Sequence, residues 1–230
     1  MEIILENQKD LNRNYWEANI KAFSEFYDNN SEETLLGPKI IRAFYKKFLF
    51  PIEKKYMLIR YNIVSGYIDN YVKTNMKVAD VGCGCGVYVP QLLSKKVFVY
   101  AYDYADASIE LVKKKILPHQ LNNIEVKNVD ISTNSISEVD VVIGIGVLTY
   151  IPDYNIFFKN ILPYTKRILF NFLDNTHIIN ILRKKIRLLD IRKYSYHNFD
   201  DIKFALTQFD YKIDSINKFA TNIMISAVKN

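Results

Sequence analysis

The sequence predicts an α/β protein: a doubly wound, mostly parallel sheet, with a helical arm before it. Three observations carry this. From Lys77 onward, short β-rich runs alternate with helical patterns, the order expected of a parallel sheet covered on both faces. The first of these runs ends in a carboxylate, Asp80, and passes into Gly82, Gly84 and Gly86 at alternate positions. The segment before it shows aromatic residues at helical spacing and no β pattern.

In the arm, Tyr15, Trp16, Asn19, Phe23, Phe26 and Tyr27 fall on one helical face. Such a stripe is read first as packing. Pro38 opens a second helix over 39–48, Pro51 breaks it, and a third covers about 53–71. Leu58, Tyr61, Ile63, Val64 and Ile68 form the buried set of that third helix, with Arg60 in a structural ion pair. Strands follow at 78–81, 97–102, 124–129, 139–145 and 167–172, with helices expected over 106–116, 154–162 and 200–208 between and after them. Two last β-rich runs, 211–216 and 221–228, lie close enough to pair antiparallel. The chain divides into an arm over 1–75 and one folding unit over 76–230, with a lid-like insertion at 174–198.

A strand, a tight glycine turn and a helix start, in that order, make a crevice the size of a nucleotide. The spacing selects the ligand. A dinucleotide turn reads G-x-G-x-x-G, and where its last glycine would stand this chain has Val87. The observed G-x-G-x-G, with Asp80 two residues ahead of it, resembles motif I of the class I S-adenosylmethionine-dependent methyltransferases. Residues 147–153, Val-Leu-Thr-Tyr-Ile-Pro-Asp, resemble that family's V-L-x-H-I-x-D segment, with Tyr150 where many relatives have His.

The resemblance implies a Rossmann-like sheet of seven strands, its last strand inserted antiparallel, capped by an N-terminal helix. It implies S-adenosyl-L-methionine as cofactor and S-adenosyl-L-homocysteine as product. Asp103, 21 residues after Gly82, takes the ribose acid's place. Asp130 takes the place of the adenine acceptor, with Tyr104 and Ile131 sandwiching the base. Asp80, Gly82, Cys83, Gly84 and Gly86 form the turn against the cofactor, and Gly144 and Gly146 let the backbone approach its methionine end. Tyr27, and Trp16 on the acceptor side, belong to an arm that closes over the site. Each Asp alone could be a solvated strand end; three on successive strands beside one glycine turn are hard to read that way.

Composition bounds the rest. Hydrophobic residues make up 49% and charged residues 24%, an ordinary globular balance. No apolar run is long enough to span a bilayer, and no basic-then-apolar leader is evident, so no membrane partner and a cytoplasmic location are expected. Cys83 and Cys85 are too close together for an ordinary disulfide or a zinc framework, so they are read as reduced turn residues. No metal is expected.

Methyl transfer needs an aligned nucleophile, and a base only where the acceptor must lose a proton. Among three histidines, His119 reads as surface. His177 follows the fifth strand on the ligand side and His197 precedes the last helix; each is also readable as a solvated loop or cap residue. His177 and Tyr150 are the catalytic candidates, with His197 an acceptor contact. A net charge of +6 and the run Arg183-Lys184-Lys185-Ile186-Arg187 raise nucleic acid as a rival acceptor. Against it, Gly-Ile-Gly follows the fourth strand, where amino-methylating DNA enzymes carry Asn/Asp-Pro-Pro-aromatic. The expected acceptor is a small metabolite, phosphorylated, nucleotide-linked or carboxylated, steered by Arg183 and Arg187. An RNA or protein substrate, or a non-catalytic cofactor-binding partner subunit, is the alternative.

Overall fold

The computed structural model describes residues 2–27, 47, 50–185 and 193–230. Among these, eight strands form one sheet: β1 (Lys77–Val81), β2 (Phe98–Asp103), β3 (Ile124–Asn128), β4 (Val139–Gly144), β5 (Thr165–Asp174), β6 (Tyr196–His197), β7 (Tyr211–Phe219) and β8 (Asn222–Lys229). The helices are α1 (Glu2–Tyr27), α2 (Phe50–Tyr71), α3 (Val89–Ser94), α4 (Asp106–Lys115), α5 (Tyr154–Ile161), α6 (Ile178–Lys185) and α7 (Phe199–Gln208).

The sheet runs β3-β2-β1-β4-β5-β8-β7. Strands β1 to β5 are parallel, and β8 enters antiparallel between β5 and β7. This seven-strand path matches the expectation; the eighth strand, two-residue β6, lies within the insertion expected at 174–198 and pairs with the end of β5. Chain order reverses between β1 and β4, so their C-terminal ends open the crevice in which open α/β sheets bind ligands.

Alternation along the strands explains the two layers. Ala79, Val81, Val142, Ile168, Phe170 and Phe172 face one side and pack against Phe157, Phe158, Ile202 and Leu206 from α5 and α7. Val78, Val141, Ile143 and Leu169 face the other, against Val64, Ile68, Leu92 and Val112 from α2, α3 and α4. Full burial of each such Val, Leu, Ile or Phe side chain stabilises the fold by about 1.5–3 kcal/mol. Asp80 and Asn171 stand two residues beyond Val78 and Leu169. They share that second face, where the core gives way to the crevice.

Two expectations about the third helix are corrected. Leu58 is exposed because it points away from the stripe formed by Val64, Ile68 and Val72. Pro51 lies in the first turn of α2, where its missing N–H costs no hydrogen bond. Of the helix expected over 39–48, only residue 47 is among the described residues.

Candidate active site

A cavity of about 380 Å³ opens at the C-terminal ends of β1, β2 and β4. Its floor is the turn after β1. There Cys83 N–H donates to the Tyr102 carbonyl at 3.0 Å, extending the β1–β2 ladder by one bond. Gly86 N–H closes back on the Cys83 carbonyl at 2.8 Å. Gly84 holds φ +52°, and a Cβ built on it would stand 3.5 Å from Ile20 of α1, in the gap between turn and arm. Gly146, at φ +80°, would point a Cβ into open space on the wall.

Asp103 is buried and aimed at that turn. One carboxylate oxygen accepts from Gly84 N–H at 2.9 Å, the other from Ala105 N–H at 2.9 Å. Burial raises its pKa, and these backbone donors work against that rise. Asp80 is more extreme. Burial, and next the charge of Asp103, push it up to about 7, and its Oδ2 has no hydrogen-bond partner among the described residues. Asp130, after β3, accepts from Ser132 N–H at 2.8 Å and Ser132 Oγ–H at 2.6 Å, and ion-pairs with Lys9 of α1. Partial burial pushes its pKa up, but Lys9 and the Ser132 donors outweigh this and hold it below the ordinary carboxylate range.

Helix α1 supplies a wall. Lys9, Asn12, Trp16 and Ile20, spaced three and four apart, present one stripe to the cavity. Glu17, on the same helix, accepts from Asp106 N–H at 2.6 Å and Ala107 N–H at 3.0 Å, capping α4 from outside. Asn12 both donates to and accepts from the Lys193 backbone, at 3.0 and 2.9 Å. Trp16 meets Tyr150 edge-on at 5.8 Å, and Tyr150 stacks on Tyr194 at 5.7 Å. Tyr150 sits in a 3-10 turn, Leu148–Tyr150, held by the bond from Ser195 N–H to the Thr149 carbonyl.

The structure brings together Trp16, Asp80, Gly82, Cys83, Gly84, Asp103, Tyr104, Asp130, Ile131, Gly146, Tyr150 and Arg183 around this cavity. It places others elsewhere. A Cβ on Gly86 would meet Val112 of α4 at 2.9 Å, so that glycine serves helix packing. Gly144 lies in β4 against the Phe157 ring, at 3.3 Å from a built Cβ. His177 accepts from Ile179 N–H through Nδ1, in the first turn of α6. His197 is buried, donates from Nε2 to the Leu148 carbonyl at 3.1 Å, and meets Tyr154 and Phe172 edge-on; burial lowers its pKa. Its neutral ring is a packing element. Arg187 and the side chain of Tyr27 lie outside the described residues.

Several wall residues gave no motif signal: Lys9, Asn12, Met57, Arg60, Asn171, Thr221 and Asn222. Asn171 alone was visible in principle, as a polar residue within the apolar run of β5. Its Oδ1 accepts from Gly146 N–H at 2.7 Å and its Nδ2 donates to Asn222 at 2.8 Å. Arg183 contacts Thr221 Oγ1 at 3.4 Å and Asn180 Oδ1 at 3.5 Å.

The comparisons with known proteins agree with this layout. The profile of a methyltransferase domain matches residues 72–189, half of the chain. The fold resembles magnesium protoporphyrin IX methyltransferase from Synechocystis PCC 6803 with bound SAH: TM-score 0.74, 17% identity, covering 96% of this chain and 100% of that one. The same enzyme with bound SAM gives a TM-score of 0.70 at 16% identity, covering 97% of each chain. A probable cobalt-precorrin-6B C(15)-methyltransferase (decarboxylating) from Methanocaldococcus jannaschii is 37% identical over 49 residues, 21% of this chain. The match spans 27% of that relative's length. With the glycine turn, the strand-end acids and the sheet order in place, the chain belongs to the methyltransferase domain family and has the class I S-adenosylmethionine-dependent methyltransferase fold.

Proposed function

We propose that this protein transfers a methyl group from S-adenosylmethionine to a small anionic metabolite, on oxygen or nitrogen. The observation that carries the reading is the set of three carboxylates, Asp80, Asp103 and Asp130, around one glycine turn in a single cavity. The residues fit the cofactor on structural grounds. Asp80 holds a buried oxygen with no partner among the described residues, suited to its cationic methionine end, and Gly146 leaves empty the space that a Cβ would take. Asp103 is preorganised by two backbone donors and keeps lone pairs for a ribose diol. Asp130 and Ile131 take the adenine, with Lys9 exchanging its hold on Asp130 for the base.

The bound cofactor supplies a methyl group already activated on a sulfonium. What the chain must add is alignment and dryness. Asn171 fixes Gly146, and with it the backbone beside the methionine end. Trp16, Tyr150 and Tyr194 form an aromatic wall, and in this reading it excludes water while Tyr150 orients the acceptor or takes part in moving its proton. Arg183 and Arg60 put guanidinium groups on the wall, and among the described residues no carboxylate pairs with Arg183. Guanidinium forks suit carboxylate or phosphate oxygens. The named substrates of the two relatives, a magnesium porphyrin and a cobalt precorrin, are also small molecules, which supports a metabolite over a macromolecule.

The test has two stages. Calorimetry should show one site per chain for S-adenosylmethionine and for S-adenosylhomocysteine. Labelled methyl transfer into a metabolite extract, fractionated by anion exchange, should then place the label in the retained, small-molecule fraction. Label in RNA or protein would refute the acceptor class, and binding without any transfer would point to a non-catalytic subunit.

A further inference from the structure

The cavity crosses the sheet, and its lining changes with the strand order. Asp130 and Ile131 follow β3, Asp103 ends β2, Asp80 lies in β1 and Gly146 follows β4. The cofactor takes this run in the reading above, adenine first and methionine end last. What remains is the next stretch of wall, at the end of β5 and the start of β8, where Leu173 and Asn222 stand in register. Hydrogen bonds tie it to the methionine end: Gly146 N–H donates to Asn171 Oδ1 at 2.7 Å, and Asn171 Nδ2 donates to Asn222 Oδ1 at 2.8 Å. The turn before β8 is fixed in shape. Ala220 holds φ +48°, unusual for a residue with a Cβ, and the Thr221 carbonyl accepts from Asp174 N–H at 3.0 Å and Asn180 Nδ2 at 2.9 Å. Asn180 thereby seats α6 against this turn, and three residues on, Arg183 reaches the same wall.

Arg183 brings a charge to this end of the cavity. Among the described residues only its Nη1 is engaged, by Thr221 Oγ1 at 3.4 Å and Asn180 Oδ1 at 3.5 Å, both neutral. Its other N–H groups remain for a planar acceptor, and a carboxylate meets that fork with two oxygens. The cavity also bears on how the acceptor becomes a nucleophile. A hydroxyl or an ammonium must first lose a proton, whereas a carboxylate need not. All three histidines of the sequence stand away from this wall. His119 is exposed in the 3-10 turn before β3, at the opposite edge of the sheet; His177 caps α6, and His197 is bonded to Leu148. Lys9 is paired with Asp130, and burial pushes the Tyr104 phenol up, so that it keeps its proton. We propose, resting on the methyl-transfer reading, that the acceptor is a carboxylate, held by Arg183 beside the Thr221–Asn222 turn and converted to its methyl ester. A lone pair on one carboxylate oxygen forms the new O–C bond as the C–S bond breaks and its electron pair returns to sulfur. Carboxylate and sulfonium both become neutral, no proton moves, and the uncharged ester loses its hold on Arg183. Tyr150 is left with orienting the acceptor.

The experiment incubates the full chain with methyl-labelled S-adenosylmethionine and a metabolite extract, then treats the products with mild alkali. Methyl esters hydrolyse and release the label as volatile methanol; methylamines, methyl ethers and methyl phosphates keep it. The native protein should release most of its transferred label in this way. Arg183→Gln should raise severalfold the extract concentration needed for half-maximal transfer, and Arg183→Lys, which keeps the charge without the fork, should fall between. Calorimetry should give both variants native affinity for S-adenosylhomocysteine. A second readout needs no turnover. Ultrafiltration of the extract with S-adenosylhomocysteine and native protein should retain an organic acid, identified by mass spectrometry, that Arg183→Gln lets pass. Transferred label that survives alkali overturns the carboxylate and leaves the methyltransferase reading standing. Ester formation and acid retention that Arg183→Gln leaves unchanged overturn the place given to Arg183. No transfer by the native protein, with the cofactor bound, overturns both readings.

Discussion

Asp103 gives the most demanding prediction, because its carboxylate has two duties. It would accept from a ribose diol, and it already accepts from Gly84 and Ala105 N–H, both at 2.9 Å. Asp103→Ala removes both, so it cannot be a pure binding variant. Loss of an acceptor for two backbone donors costs about 1–3 kcal/mol per group, and near this chain length each kcal/mol lowers Tm by roughly 2–4 °C. Asp103→Asn keeps one oxygen for the turn but turns its amide NH2 towards the other backbone donor, so the analogue comparison is what isolates the ribose contact. Losing charge-assisted bonds to the diol should cost about 1.5–3 kcal/mol, a ten- to hundredfold weaker Kd for S-adenosylhomocysteine. The assay is calorimetry on native protein and Asp103→Asn, each with S-adenosylhomocysteine and with its 2′-deoxy analogue. The native protein should penalise the missing hydroxyl and the variant should not, which separates contact from scaffold. Native affinity in Asp103→Asn, or a deoxy penalty that survives in it, would place the ribose elsewhere.

Three other expectations follow from the same cavity. Gly84→Ala should cost mainly stability, by forcing an L residue to φ +52°, whereas Gly84→Val should also lose most cofactor affinity by filling the gap beside Ile20; equal cofactor affinity in the two variants would deny the glycine a ligand-facing role. Asp80, raised to about 7, should make cofactor affinity rise by about tenfold between pH 6 and 8, as the ionised form becomes available to a cationic ligand. In the free protein the sign is opposite: the folded carboxyl holds its proton longer than the unfolded one, so its stabilising contribution is complete below about pH 4 and is lost as pH rises towards 7. Asp80→Asn should flatten both profiles, and profiles unchanged in that variant would remove Asp80 from the account. Arg183→Ala, alone or with Arg187→Ala, should raise the acceptor KM severalfold with cofactor affinity unchanged, less so at high salt; an unchanged KM would exclude an anionic acceptor steered by this arginine.

What the sequence makes legible is whatever local chemistry dictates. A glycine turn after a buried strand, acids at strand ends and a terminal β-rich pair are visible because backbone angles and alternation impose them. Gly144 and Gly86 show the limit: glycine beside a motif can serve a neighbouring ring or helix, here Phe157 and Val112, and only the third dimension tells which. The places of His177 after β5 and His197 before α7 point both towards the site. Their partners, Ile179 N–H and the Leu148 carbonyl, make one a cap and the other a packed ring. The arm carries the opposite lesson. Its aromatic stripe suggested packing, yet the polar residues Lys9, Asn12 and Glu17 tie it to three distant segments, and nothing in their spacing names those partners. Asn180 likewise reads as an ordinary polar helix residue until the carbonyls of Asp174 and Thr221 are found beneath it.

The three ties of α1 bear on the timing of the reaction cycle. Lys9 holds Asp130, Asn12 grips Lys193 and Glu17 caps α4, so a ligand that enters past this helix would have to loosen all three. Lys9 and Glu17 make their ties at partly exposed positions and Asn12 at a buried one, and freeing the helix would mean breaking all three. Observed association rates would then level off at high cofactor concentration, at a plateau set by the helix and not by diffusion. Product residence would be governed by the same step. Turnover would then depend on one salt bridge, one reciprocal amide pair and one borrowed helix cap.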